Sequence, residues 1–265
     1  MKKLKTLLSV FTLIFCYMIC FVVKTPLNYS SANDLNISVA EFYNTANSIL
    51  NTFVQFDSRY PGSDDEKIAS EYIAEYLNTN TNCVPFKNDY ITNGIQEFKF
   101  DSALDGMSYS SQNVIYTHKS SNASSPKVII GCSYDAIAFK YGTYQSEGEL
   151  IASEAVNGSA GSVALLLTMA KYLSTKSFNF DIDFIFFGAG ESNNAGSNFY
   201  TQGISSDDAK DIALMINLDK VSLGKNIYFY VDEIENDFSK YVKSLSSNNN
   251  LGIKKVSTAN LGKSL

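Results

Sequence analysis

Between Val128 and Val231 short apolar runs alternate with longer amphipathic ones, and this alternation constrains the fold more than any other feature of the chain. Val128-Ile129-Ile130, Ile182 to Phe187, Ile212 to Leu218 and Ile227 to Val231 are short, rich in β-branched or aromatic residues, and read as strands. Residues 159–174 carry Val163, Leu166, Leu167, Ala170 and Leu173 at helical spacing, and 194–203 and 235–247 read as further helices. Upstream, Ser38-Val39-Ala40-Glu41 and Ser63-Asp64-Asp65-Glu66 are capping-box patterns that open helices, the first running to about Phe56. In the second, Ile68, Tyr72, Ile73, Tyr76 and Leu77 are expected to share one face. Residues 84–117 read as strands with turns at Asn93-Gly94 and Asp105-Gly106. The expected architecture is a single three-layer α/β domain over residues 38–265, with a central, mostly parallel mixed sheet flanked by helices.

The 45% hydrophobic content of 265 residues supplies a real core and excludes a disordered, collagen-like or coiled-coil chain. A net charge of −6 argues against a nucleic-acid partner. Residues 6–23 are uncharged and apolar, with Lys2, Lys3 and Lys5 before them and Lys24 after. A run of about 18 such residues can span a bilayer, and the leading lysines favour an N-terminus inside and a body outside. Residues 1–24 are therefore expected to be an uncleaved transmembrane anchor or a cleaved signal peptide, followed by a polar tether over 25–37. Either way the domain lies outside the cytoplasm, membrane-anchored or secreted. Cys83 and Cys132 could pair there or remain free thiols; the sequence leaves both open.

In open α/β sheets, function gathers at the carboxyl ends of the strands. Just beyond the expected strands stand Ser133-Tyr134-Asp135, Gly190-Glu191 and Asn217-Leu218-Asp219. Asp135, Glu191 and Asp219 would converge on one edge, where three carboxylates suit an oxygen-rich cation site or cap helices and loop amides. His118, the one histidine, sits before a Ser-rich loop and reads as solvent-facing.

The order of these segments resembles the di-zinc aminopeptidases of metallopeptidase family twenty-eight, clan MH. The resemblance runs over roughly residues 55–232. It is carried by Ser58-Arg59-Tyr60-Pro61-Gly62-Ser63, Tyr72 to Leu77, Gln112-Asn113-Val114-Ile115, Val163 to Leu166, Phe186-Phe187-Gly188-Ala189 with Gly196-Ser197, and Met215 to Asp219. It implies a zinc-aminopeptidase fold, peptide hydrolysis, and two zinc ions held by two His and three carboxylates, with a further Glu as general base.

Carried over residue by residue, the resemblance implies a depleted site. Ser133 stands where the first zinc-binding His belongs, and Asp135, which would orient that His, is retained. Asn157, or Gly158 in an ungapped alignment, stands where the bridging Asp belongs. Gly190 occupies the general-base position, while the metal ligands Glu191 and Asp219 are retained. The second zinc-binding His has no match before Leu265. Zinc is thus implied by the family but not expected to be bound. Three readings follow: a degenerate, non-catalytic homologue that binds peptide or protein, as metal-free ectodomains of this clan do; an active metallo-aminopeptidase with an altered site; or a C-terminally truncated, non-functional product.

Overall fold

The computed structural model describes residues 37–56, 58–102, 105–121, 125–137, 159–222, 227–231, 237–248 and 252–257. The apolar run 6–23, with the anchor or signal peptide expected there, lies outside these residues, as do most of the tether, Asn157 and Gly158. Among the described residues no helix is long and apolar enough to cross a membrane.

Both capping serines open helices. Helix α1 (Val39–Phe53) has the Glu41 N–H donating to Ser38 Oγ at 3.3 Å, and runs on into a 3-10 turn, Val54–Phe56. Helix α2 (Asp64–Asn80) begins with Glu66 N–H donating to Ser63 Oγ at 3.1 Å, and three acidic residues in its first turn complement the helix dipole. The Glu66 side chain does not return to Ser63 as a reciprocal box would have it. It turns inward and accepts from Gly62 N–H at 2.6 Å. With Glu66 inside, Ala69, Ser70, Ile73 and Leu77 form the buried face, and Ile68 is 46% exposed rather than part of the expected stripe.

The main sheet orders its strands β1 (Val84–Pro85), β3 (Ser108–His118), β5 (Asp181–Phe187), β4 (Lys127–Ser133) and β6 (Ile212–Asn217), with β2 (Ile95–Asp101) also paired to β3. It is mixed. Strands β5, β4 and β6 run parallel, while β3 is antiparallel to β1, β2 and β5. Chain connection explains the division: a six-residue turn from Ser102 to Met107 can only reverse the chain, whereas helix α3 (Gly161–Leu173) lies between β4 and β5 and permits a parallel crossover. The Asn93-Gly94 turn, with φ of 50° and 79°, makes the two-residue reversal at Thr92 and Ile95 expected of that pair.

The strand period of two sends Ile115, Ile129, Ile185 and Phe187 to one face, where Tyr200 of helix α4 (Ala195–Gly203) covers them. Val114, Tyr116, Ile130, Phe184 and Phe186 alternate with these and are equally buried. Burial of each such Phe or Ile contributes roughly 1.5–3 kcal/mol. Helix α3 is buried at nearly every position, including all five residues of its expected stripe, as an apolar helix enclosed on several sides must be.

His118 departs from its expected exposure. It is the last residue of β3, only 8% exposed, with Nε2 2.8 Å from the Lys176 carbonyl and its ring edge-on to Phe178. A partner carbonyl on the chain beyond α3 draws it inward, a long-range contact that local sequence does not encode.

The chain forms two compact units. Residues 44–222 form the unit just described, which also contains the short helix α5 (Ser206–Asp211). The other draws on 1–43 and 223–265; there the parallel strands β7 (Tyr228–Val231) and β8 (Lys254–Ser257) are joined through helix α6 (Asp237–Asn248).

Candidate functional site

Parallel register brings the candidate residues together. Ser133 pairs with Phe187 across β4 and β5, and Gly131 with Asn217 across β4 and β6, so the three strands end side by side. Ser133 closes β4, Asp135 follows two residues later, Gly190 and Glu191 follow β5, and Asp219 follows β6.

Asp135 is buried, and its carboxylate accepts from the successive amides of Gly190 and Glu191, both at 2.8 Å. Burial pushes its pKa up to about 6 against the pull of those two donors, with a smaller push from the Glu191 charge. The elevation at Asp135 therefore comes chiefly from desolvation and only secondarily from the neighbouring carboxylate. Gly190 lies against Ser133: a Cβ built there would come within 2.7 Å of Ser133 Cβ and 3.0 Å of Asp135 Oδ1, and nearer still to Ser133 Oγ. Glu191 Oε1 is 3.1 Å from Lys220 Nζ. Partial burial pulls the Lys220 pKa down, but the hydrogen bond and charge of Glu191, with Asp219 and Asp135, carry it upward overall. Asp219 itself is exposed, and among the described residues no three His, Cys, Asp or Glu side chains are grouped to hold a metal ion.

Beneath this corner lies a buried charged layer that motif reading gave no role. Arg59, the chain's sole arginine, is fully buried; its Nε donates to the Tyr134 carbonyl at 2.7 Å and its guanidinium carbon lies 4.6 Å from the centre of the Phe53 ring. Burial lowers its pKa to about 10, with the charges of Asp135 and Asp65 opposing. Glu66 accepts from Gly62 N–H, from Ala189 N–H at 2.7 Å and from Ser111 Oγ at 3.0 Å. Burial pushes its carboxyl up to about 8, the Asp135 charge adding to the shift. The available signals were a lone Arg among lysines and the Glu of a capping box at 66; neither specifies a destination. Lys220 gave no signal beyond following Asp219. Cys83 and Cys132 are both buried, free thiols.

A mixed sheet flanked by helices, with polar residues collected beyond the ends of β4, β5 and β6, defines an aminopeptidase-like α/β fold. The chain belongs to peptidase family M28, whose family model matches residues 113–262. A zinc aminopeptidase from Bacillus subtilis superposes with a TM-score of 0.62 at 13% identity, covering 81% of this chain and 84% of that one. A glutaminyl cyclase from Bacteroides thetaiotaomicron gives 0.59 at 18%, covering 81% and 76%. A leucine aminopeptidase precursor from the same organism gives 0.58 at 17%, covering 81% and 77%. At such identities the likeness is one of fold. Comparison with curated protein sequences gives no match.

Proposed function

We propose that this M28 chain is a non-catalytic, membrane-anchored homologue that holds peptide or protein without cleaving it. The observation that carries the reading is the Ser133–Gly190 contact. A neutral hydroxyl replaces the imidazole, and no side chain extends from the position of the general base. General acid–base assistance alone is worth about 10²–10⁴-fold in rate. Two of the three remaining carboxylates are engaged, Asp135 by two amides and Glu191 by Lys220, while Asp219 is exposed. These residues do not fit the di-zinc centre the family implies, because a hydroxyl is a poor zinc donor beside imidazole or thiolate. A groove of about 590 Å³ beside α2, lined by Ser63, Lys67, Glu97, Lys99, Gln112 and Phe199, is large enough to take a ligand. The apolar run 6–23 supports anchoring, with the domain outside the cytoplasm.

Metal analysis tests the proposal. Full-length chain purified without chelator, given excess zinc and dialysed, is expected to retain far less than one zinc per chain and to release no N-terminal residues from peptides. About two zinc ions per chain, or chelator-sensitive turnover, would overturn it. Retention in carbonate-washed membranes is expected of the anchor; an N-terminus found beyond residue 24 would overturn that part.

A further inference from the structure

We infer that the corner made by Ser133, Asp135, Gly190 and Lys220 has been rebuilt into a closed brace, in which Ser133 and Gly190 depend on each other sterically and Lys220 supplies the positive charge that faces Glu191. The loop it holds is strained. Ala189, Asn193 and Asn194 follow β5 with φ of 50°, 53° and 56°; asparagine tolerates this left-handed region, and the strain falls on Ala189. Such a conformation persists only where its surroundings fix it. Here the fixing groups are identifiable. Asp135 binds the amides of Gly190 and Glu191, and the Asn194 and Ala195 amides donate back to the carbonyls of Gly190 and Ala189.

The loss of a side chain at 190 is part of that fixing. The space a Cβ would need is filled by Ser133 and bordered by Asp135. Restoring a glutamate there would therefore displace the brace before it could act as a base. Lys220 closes the arrangement from the β6 side; it also stands in the left-handed region, with φ of 42°, and places its ammonium on Glu191. Ser133 and Gly190 are positioning residues for this loop, and the packing half of the inference stands whatever zinc does. The charge half rests on the non-catalytic reading.

Thermal melting of the full chain tests both halves separately. Gly190→Ala is expected to lower Tm by at least about 2–4 °C. Adding Ser133→Gly to that variant is expected to recover most of the loss, although Ser133→Gly alone lowers Tm. A wild-type melt for Gly190→Ala, or losses that simply add in the double variant, would overturn the packing half. Lys220→Glu is expected to lower Tm and Lys220→Arg to preserve it. An unchanged melt for Lys220→Glu, or a zinc-dependent rise in the wild-type Tm, would overturn the charge half, and only the zinc result would also remove the non-catalytic reading.

Discussion

The Glu66 carboxylate accepts a 2.7 Å hydrogen bond from the Ala189 amide, tying the first turn of α2 to the strained loop beyond β5. The same carboxylate reaches Gly62 and Ser111, so one side chain joins three segments beneath the candidate site.

That position has a pH signature. Burial holds Glu66 up at about 8 in the fold, against an ordinary carboxyl value near 4.5 in the unfolded chain. Between those values the unfolded chain has released a proton that the folded one keeps, so stability falls as pH rises from about 5 to 8. The ceiling is about 1.4 kcal/mol per pH unit. Asp135, raised to about 6, acts in the same direction over the lower part of the range. Urea midpoints at pH 5 and pH 8 are expected to show the fall, and Glu66→Gln to flatten it.

Arg59 is expected to be among the most sensitive positions. Truncation to Ala empties a buried volume and removes the donors to the Tyr134 carbonyl and Ser159 Oγ, at a cost of about 2–5 kcal/mol. Arg59→Lys keeps the charge but not the planar fork that donates to Tyr134 and Ser159, and is expected to recover only part of it. Chemical denaturation of the two variants measures the difference.

Gly196 meets the Gly188 carbonyl and Asn113 Oδ1 at distances no Cβ can share. Asn113 in turn donates to Gln96 and to the Gly196 carbonyl and accepts from Gly188 N–H, locking β2, β3 and α4 together. Gly196→Ala is expected to destabilise by several kcal/mol, because the obstruction is backbone, and Asn113→Ala by about 2–3 kcal/mol from the buried partners it leaves unsatisfied. Both are read from the shift in denaturation midpoint.

Cys83 and Cys132 are buried, and burial raises both thiols above the ordinary range. Neither is expected to react with iodoacetamide in the native protein at pH 7.5, and both are expected to label on unfolding. Peptide mass mapping after timed labelling distinguishes the two states.

Much of this architecture was legible in the sequence, because its signals are local. The serines at 38 and 63, the Asn93-Gly94 reversal and the apolar strands all act within a few residues of themselves. The positions gathered beyond β4, β5 and β6 were legible too, since strand ends can be found from the strands. The destinations of Arg59, Glu66, His118 and Lys220 were not. Each is fixed by a partner far along the chain: the Tyr134 carbonyl, the Ala189 amide, the Lys176 carbonyl and, for Lys220, the Glu191 carboxylate. Helix periodicity placed Ile68 inward; the pull on one buried carboxyl outweighed it.

The mixed sheet also sets an order of assembly. The β2–β3 reversal closes over a short turn and can form early, before the rest of the chain has collapsed. The parallel half has no such local start: Lys127 must find both Asp181 and Ile212, far downstream, before β4 has a neighbour on either side. Until then Val128 to Cys132 and Ile182 to Phe187 remain bare apolar strands. The interval between hairpin and completed sheet is the stage at which this chain is most prone to self-association.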